Sequence, residues 1–330
     1  MDLPSLDSTD VFSRAVALAD GISDDALAQR CARGELVRIR PGTCAVAERW
    51  ATMYAEQRAL WSAAAFLDAA RGGRIVFSHT TAAAIHGLPL VRTDPTTVHV
   101  IVAGDARSTA RVRRHRTDID SDDVLVSADG SFAVTSLART LVDLARSADR
   151  PTSLSATDAA LRKVALRGGR ELELAAAERL RAEIVARIDA APGGRGVRGA
   201  RFIVGFADAR AELPGESISR LYLHLLGFPP PGLQTRVPGP GGRTYEIDFD
   251  LGTAWGEFDG AGKYTDARFL RGRTPERALA DEKEREDWIR GTTRRPMIRW
   301  QFRHLASPST LGTHLAAFGL HAPRRRPFRE

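Results

Sequence analysis

Residues 244–260 read TYEIDFDLGTAWGEFDG, and this stretch decides which fold the last third of the chain can adopt. Apolar and acidic residues alternate within it, which is typical of strands with one face toward a core and one polar face. We therefore predict neighbouring strands over residues 244–250 and 254–258. Asp248 lies on the first of these strands and Glu257 on the second.

Further elements are predicted on both sides of these strands. Upstream, Pro214 suits the first turn of a helix that carries Glu216 and an apolar stripe, and a strand over 234–237 follows. Downstream, the pattern predicts a charged helix, a strand and a closing helix over residues 279–289, 297–302 and 311–318. Helices and strands thus follow one another as in an α+β fold.

The acidic residues of this segment suit metal-dependent cleavage of a phosphodiester. That reaction needs a hard cation, and Mg²⁺ retains several waters, so that two or three carboxylates are enough to hold it. Asp248 and Glu257 are the candidate ligands, and Glu216 approaches from the helix. Lys263 is the basic residue that would orient the water. A solvated acidic hairpin is the alternative interpretation, because acids at alternate positions also occur on exposed strands.

Residues 213–320 resemble the PD-(D/E)XK restriction-endonuclease-like superfamily, and in particular its very-short-patch-repair-type branch. The motifs that carry the resemblance are Glu216, the Asp248-Phe249 pair, the segment EFDG at 257–260 and a last strand with Arg-Trp character. The resemblance implies a mixed sheet with Asp248 and Glu257 as metal ligands. It also implies that Glu216 is an accessory acid and that Asp259 is a ligand or a neighbour of the ligands.

One position departs from the superfamily pattern. The lysine of the E-x-K motif is replaced by Asp259. Either Lys263, four residues further on, supplies the ammonium group of the missing lysine, or the site has lost its catalytic activity. The sequence leaves both interpretations open.

The first fifty residues predict two short helices and a hairpin. Asp10 is positioned to cap the first helix and Ser23 the second, which covers residues 24–32. An alternating strand over 36–40 then turns at Pro41 and returns. This order is typical of a winged helix-turn-helix, whose second helix enters the major groove of DNA.

Four arginines are the candidate DNA contacts of this segment. Arg30 and Arg33 would face the DNA from the second helix, while Arg38 and Arg40 would bind phosphates from the wing. The alternative is a small helical packing module with solvated arginines.

Three segments in order resemble the AbiEi family, the antitoxins of type IV toxin–antitoxin systems. They read GELVRIRPG at 34–42, SHTTAAAIHGLPL at 78–90 and VTSLARTLVDLA at 134–145. The resemblance covers residues 10–165. It implies a winged-helix head that binds the promoter of its own operon as a transcriptional regulator, followed by an antitoxin body whose partner is a cognate toxin protein.

The histidines of the first half do not predict a metal site. The spacings between His79, His86, His99 and His115 match no ligand pattern, and no cysteine or carboxylate recurs with them. We expect these side chains to be structural or capping.

Composition narrows the class of protein. The net charge of +7 favours contact with phosphates, although an arginine-rich composition has the same effect without any such role. No apolar stretch is long enough for a membrane span, the N-terminus lacks the pattern of a signal peptide, and the two cysteines are too few for a disulfide framework. We therefore expect a cytoplasmic protein without membrane contact.

These observations divide the chain into five expected regions. They are a winged helix-turn-helix at 1–50, an α/β antitoxin-like body at 51–150, a helical bridge at 151–212, an endonuclease-like domain at 213–320 and a basic tail at 321–330. The expected function is a DNA-binding antitoxin or regulator fused to a nuclease-like domain that cleaves DNA with Mg²⁺. The alternative is a non-catalytic autoregulator whose degenerate nuclease domain binds a partner. The oligomeric state does not follow from the sequence.

Overall fold

The computed structural model describes residues 11–70, 75–102, 107–168, 171–190, 193–260 and 274–323. Within these ranges the fold is a mixture of helices and strands, as expected for the α+β class. The chain divides into two compact units. The first unit comprises Met1–Ala165 and Glu173–Ala207, and the second comprises Leu166–Leu172 and Asp208–Glu330. None of the helices in the described ranges has the length and apolar character that crossing a bilayer requires.

The first unit begins with a small antiparallel sheet and two helices. Its elements are β1 (Val11–Ser13), α1 (Arg14–Ala19), α2 (Asp24–Ala32), β2 (Leu36–Arg40) and β3 (Thr43–Val46), and the strand order is β1-β3-β2. The first helix begins later than the sequence predicts. Residues 11–13 pair with β3, and the Ser13 side chain then caps α1 by accepting from the Val16 N–H at 3.2 Å.

A five-stranded sheet forms the main core of this unit. The elements that lead to it and build it are α3 (Ala47–Thr52), α4 (Ala55–Ala69), β4 (Val76–Phe77), α5 (His79–Ile85), β5 (Val98–Ile101), β6 (Val112–His115), β7 (Val124–Val126) and β8 (Ala133–Thr135). The strand order is β6-β5-β4-β8-β7. Strands β5 and β6 are parallel, as are β4 and β8. Phe77, Val98 and Val134 of this sheet bury their side chains together with Ala63 of α4.

Helices complete the first unit. They are α6 (Leu137–Ser147), α7 (Arg150–Ala165), α8 (Leu174–Asp189) and α9 (Val197–Phe206). The hairpin of β9 (Leu166–Arg167) and β10 (Glu171–Leu172), which follows α7 in the chain, belongs to the second unit. Ion pairs attach two of the helices to the sheet. Asp123, just before β7, accepts from Arg139 of α6 at 3.2 Å and from Arg187 of α8 at 2.8 Å.

The second unit follows the order of elements that the sequence predicts. It contains α10 (Pro214–Leu225), β11 (Gly232–Pro238), β12 (Thr244–Asp250), β13 (Trp255–Phe258), α11 (Pro275–Thr293), β14 (Met297–Trp300) and α12 (Pro308–Ala317). Strands β11, β12 and β13 form an antiparallel meander, and β14 joins its edge parallel to β13. The Trp300 indole N–H of β14 donates to the Ser219 hydroxyl of α10 at 2.7 Å, which anchors that helix to the sheet.

Candidate functional site

Two acids that the sequence singles out meet in the second unit. Glu216 lies in the first turn of α10, and Asp248 lies on β12. The Gln234 side-chain amide donates to Glu216 Oε2 at 3.1 Å and lies 3.4 Å from Asp248 Oδ1. One amide thus links the two carboxylates.

Backbone groups fix both carboxylates in place. The Glu212 N–H donates to Glu216 Oε2 at 3.0 Å, and the Phe258 N–H donates to Asp248 Oδ2 at 2.9 Å. The first bond orients the helix acid, and the second orients the strand acid toward the end of β13. The carboxylates are therefore held before any ligand arrives, as a binding site requires.

Burial and mutual repulsion perturb the titration of the helix acid. Glu216 is only 2% exposed. Burial raises the pKa of its carboxyl to about 8, and the neighbouring charge of Asp248 contributes to the same rise. Two carboxylates this close cannot both ionise without cost, so at neutral pH the pair holds a proton or needs a cation.

Gln234 is the member of this site that the sequence did not reveal. It lies within β11 with φ of +48°, a left-handed backbone conformation that is rare for residues other than glycine. Nothing in the local pattern distinguishes it from an ordinary strand residue. Its role depends on contacts with α10 and β12, which only the folded chain brings together.

Glu257, the third predicted acid, is held by two arginines. Its buried carboxylate accepts from Arg285 of α11 at 2.7 Å and from Arg299 of β14 at 3.3 Å. The physical reason is the pairing of β13 with β14. Glu257 stands opposite Arg299 in the parallel register, so the two side chains share one face of the sheet, and α11 supplies the second arginine.

Asp259 and Lys263 are the two remaining predicted residues of the acidic site. The Asp259 N–H donates to the Trp300 carbonyl at 2.8 Å, which extends the pairing of β13 with β14, and its side chain is half-buried. Lys263 lies outside the described residues. The structure therefore brings together Glu216 and Asp248 of the predicted set.

The four predicted DNA contacts occupy different environments in the first unit. Arg30 and Arg33 both pair with Glu35, at 3.2 and 2.6 Å, and Arg38 is exposed on β2. Arg40 differs from the expected wing residue. Its guanidinium stacks over the Phe66 ring, 4.8 Å from the centroid, and is therefore half-buried.

Arg40 has basic neighbours that the sequence places far away. Burial lowers the pKa of its guanidinium, and the charges of Arg111 and Arg114 lower that pKa further. Arg111 also donates to the Ile39 carbonyl, which ties it to β2. Arg40 of β2, Arg111 and Arg114 of β6 thus form one basic cluster, and Arg38 lies two residues before Arg40 on the same strand.

Three of the four histidines of the first unit converge. His86 has the expected structural role, because it ends α5 and its Nε2 lies 2.7 Å from the Thr135 carbonyl. His79, His99 and His115 instead each offer one ring nitrogen, and these three nitrogens lie within 4.8 Å of one another. The spacing along the chain did not predict this cluster, because its members come from three elements that the sheet brings together.

Comparison with known proteins finds similar proteins but no matching family model. No family model matches the chain. Similar proteins include the uncharacterized protein Rv2248 of Mycobacterium tuberculosis strain ATCC 25618 / H37Rv and the uncharacterized protein MT2308 of strain CDC 1551 / Oshkosh. Each is 34% identical over 235 residues, which cover 71% of this chain and 78% of the relative. The chain therefore belongs to the protein family of Rv2248 and MT2308.

Proposed function

We propose that the protein binds DNA and that its second unit is a Mg²⁺-dependent nuclease-like domain of the PD-(D/E)XK type. The observation that carries the proposal is the meeting of Glu216 and Asp248 around Gln234. The order of elements in this unit, a helix, three antiparallel strands, a helix and a parallel fourth strand, agrees with the superfamily that the sequence resembles.

The donor atoms of this pair fit a magnesium ion. Mg²⁺ prefers carboxylate oxygens and keeps several of its waters, so Glu216 and Asp248 would hold it without a third acid. When bound, the ion supplies Lewis-acid polarisation of a phosphate and an activated water. The protein contributes the fixed carboxylates, and a cation would offset the burial and the neighbouring charge of Asp248 that together raise the pKa of Glu216.

The basic cluster of the first unit supports contact with DNA. Arg38 is exposed, and Arg40, Arg111 and Arg114 lie close enough for their charges to interact. Several positive charges held together attract a polyanion, and one arginine can donate two parallel hydrogen bonds to the oxygens of a phosphate. If α1, α2 and the hairpin β2–β3 act as the winged helix-turn-helix that we propose, Arg38 would face the DNA backbone.

A plasmid-nicking assay with Mg²⁺ or Mn²⁺ tests the nuclease. We expect the full chain to nick supercoiled DNA, and Asp248→Asn and Glu216→Gln to reduce nicking at least ~100-fold, because each removes a metal ligand. Glu246→Gln is the matched control, since Glu246 is an exposed acid on the same strand that pairs with Arg236. Nicking that persists in Asp248→Asn would overturn the assignment of the site.

One observation favours a second function, that of a non-catalytic DNA-binding regulator or antitoxin. Glu257 is engaged by Arg285 and Arg299, and Asp259 stands where the superfamily has lysine. A domain with these features would serve as a surface for a partner such as a cognate toxin. Sequence-specific binding of its own promoter DNA, with no nicking by the wild-type protein under any metal, would establish this function instead.

A further inference from the structure

A cluster of three histidines in the first unit has a geometry that the acidic site does not explain. His79 is the first residue of α5, His99 lies on β5 and His115 ends β6. The parallel pairing of β5 with β6 places Ile101 opposite His115, and β4 leads directly into the helix that carries His79. The order of the strands thus brings all three rings to one end of the sheet.

The distances between the ring nitrogens suit a shared metal ion. His99 Nδ1 lies 3.0 Å from His115 Nε2, and the ring centroids of His79 and His115 are 3.7 Å apart. Two nitrogens on a tetrahedral zinc ion, each about 2.0–2.1 Å from the metal, are separated by about 3.3 Å. The three rings stack on one another, with interplanar angles of 14–29°, so coordination would require the rings to turn until one nitrogen of each points at a shared ion.

The residue next to His79 fixes its ring as the supporting groups of metal sites do. The His79 Nδ1 lies 3.0 Å from the Ser78 hydroxyl, which leaves Nε2 as the ligand atom. His79 also has φ of +49°, in the left-handed region that non-glycine residues rarely occupy. Such strained conformations persist where the surrounding structure requires a particular side-chain position, and they are frequent at functional sites.

The three rings are partly withdrawn from solvent. His79 is buried, and His99 and His115 are half-buried. A buried cluster of imidazoles is unusual without a partner for its ring nitrogens, because buried polar groups are normally hydrogen-bonded or bind a metal.

We propose that His79, His99 and His115 form a binding site for one zinc ion, with the fourth position left to water. Three imidazole nitrogens select zinc and similar transition metals, whereas the acidic pair of the second unit offers only oxygen ligands, which magnesium prefers. Three protein ligands with an open position are typical of zinc sites that activate water. The site is independent of the proposed nuclease, because it uses different residues and a different metal.

Metal titration of the full chain tests this site. After treatment with a chelator, the protein is titrated with Co²⁺ and followed by visible absorption, and Zn²⁺ is then added in competition. We expect one equivalent of Co²⁺ to bind with tetrahedral absorption bands and to be displaced by Zn²⁺. His115→Asn should weaken binding by more than the ~10–100-fold that loss of a supporting group costs. His321→Ala, which changes an exposed histidine, should bind as the wild type does.

A second measurement keeps the test valid if the histidine variant does not fold. The zinc-edge X-ray absorption of the wild-type protein, loaded with one equivalent of Zn²⁺, should show three imidazole ligands and one oxygen. Absence of Co²⁺ binding by the wild type, unchanged binding by folded His115→Asn, or a ligand shell without three imidazoles would each overturn the proposal. Loss of nicking in the Asp248→Asn variant leaves these results unaffected.

Discussion

Glu216 is a carboxyl that retains its proton far above the usual range. Its pKa is near 8 in the folded chain and near 4.5 when unperturbed, so between these values the folded state holds a proton that the unfolded chain has released. The free energy of unfolding must therefore fall as the pH rises from about 4.5 to about 8, by up to ~1.4 kcal/mol per pH unit, and level off above that range.

Glu216→Gln should remove this pH dependence. The amide keeps the shape and some of the hydrogen bonds of the acid but cannot ionise, so the variant should gain stability over the wild type as the pH increases from 5 to 9. Urea unfolding at pH 5, 7 and 9 measures the effect. Equal slopes of stability against pH in the two proteins would show that the carboxyl titrates normally.

Glu257 has a structural role in the folded chain, because its carboxylate pairs with arginines of two neighbouring elements. Glu257 is 6% exposed and its carboxylate binds two arginines, so Glu257→Gln leaves the charges of Arg285 and Arg299 partly uncompensated. We expect a loss of ~1–3 kcal/mol in the free energy of unfolding, the usual cost of a missing partner for a buried charged group.

The same variant should leave DNA nicking and Mg²⁺-dependent stabilisation near wild-type values. Thermal unfolding with and without Mg²⁺, beside the nicking assay, measures both quantities. A variant of normal stability that has lost its response to Mg²⁺ would instead make Glu257 a metal ligand.

At the scale of elements, the close packing of α10 on β13 positions the acidic pair. Gly215 precedes Glu216 in the helix, and a Cβ added at Gly215 would come within 2.1 Å of the Phe258 ring. The absence of a side chain therefore allows the helix to approach the sheet. This approach brings the Glu216 carboxylate within reach of Gln234 on β11.

Gly215→Ala should destabilise the protein by ~1–3 kcal/mol, because overpacking outweighs the ~1 kcal/mol that alanine gains in helix propensity. Gly291→Ala in α11 is the matched control, since an added Cβ there meets nothing within 4 Å and should leave stability unchanged or raise it. Chemical unfolding of both variants measures the difference. Equal effects in the two helices would contradict the close packing.

The sequence predicted the elements of the second unit better than their contacts. Pro214 and the apolar stripe indicated α10, and alternation indicated β12, because these signals are local. The side on which Glu257 lies could not be predicted, since all four residues of β13 are buried and show no alternation. The meeting of the three histidines depends on the order of β4, β5 and β6, which no local pattern encodes.

At the scale of the whole molecule, the proposed DNA binding should weaken steeply with salt, because a chain with a net charge of +7 would bind phosphates by releasing their counterions. The logarithm of the binding constant should fall with the logarithm of salt concentration by about 0.9 for each phosphate neutralised. Arg38→Ala should reduce this slope by about 1, because it removes one exposed phosphate contact.

Filter binding of duplex DNA across a range of salt concentrations measures these slopes. Arg179→Ala is the control, since Arg179 is an exposed arginine of α8 that pairs with Glu173 outside the basic cluster. Binding that does not depend on salt would show that the positive charge of the chain has no part in DNA contact.

The parallel pairing of β13 with β14 also bears on how the chain folds during synthesis. Parallel neighbouring strands need a long connection, and here that connection includes α11. Strand β14 therefore cannot pair with β13 until Trp300 has left the ribosome. Until then β13 presents an unpaired edge, and Glu257 lacks its Arg299 partner. Late pairing between strands that are distant in the sequence slows folding, and it leaves the edge of β13 open to pairing with other chains in the meantime. Arrival of β14 is therefore the step that pairs the edge of β13 and gives Glu257 its second arginine.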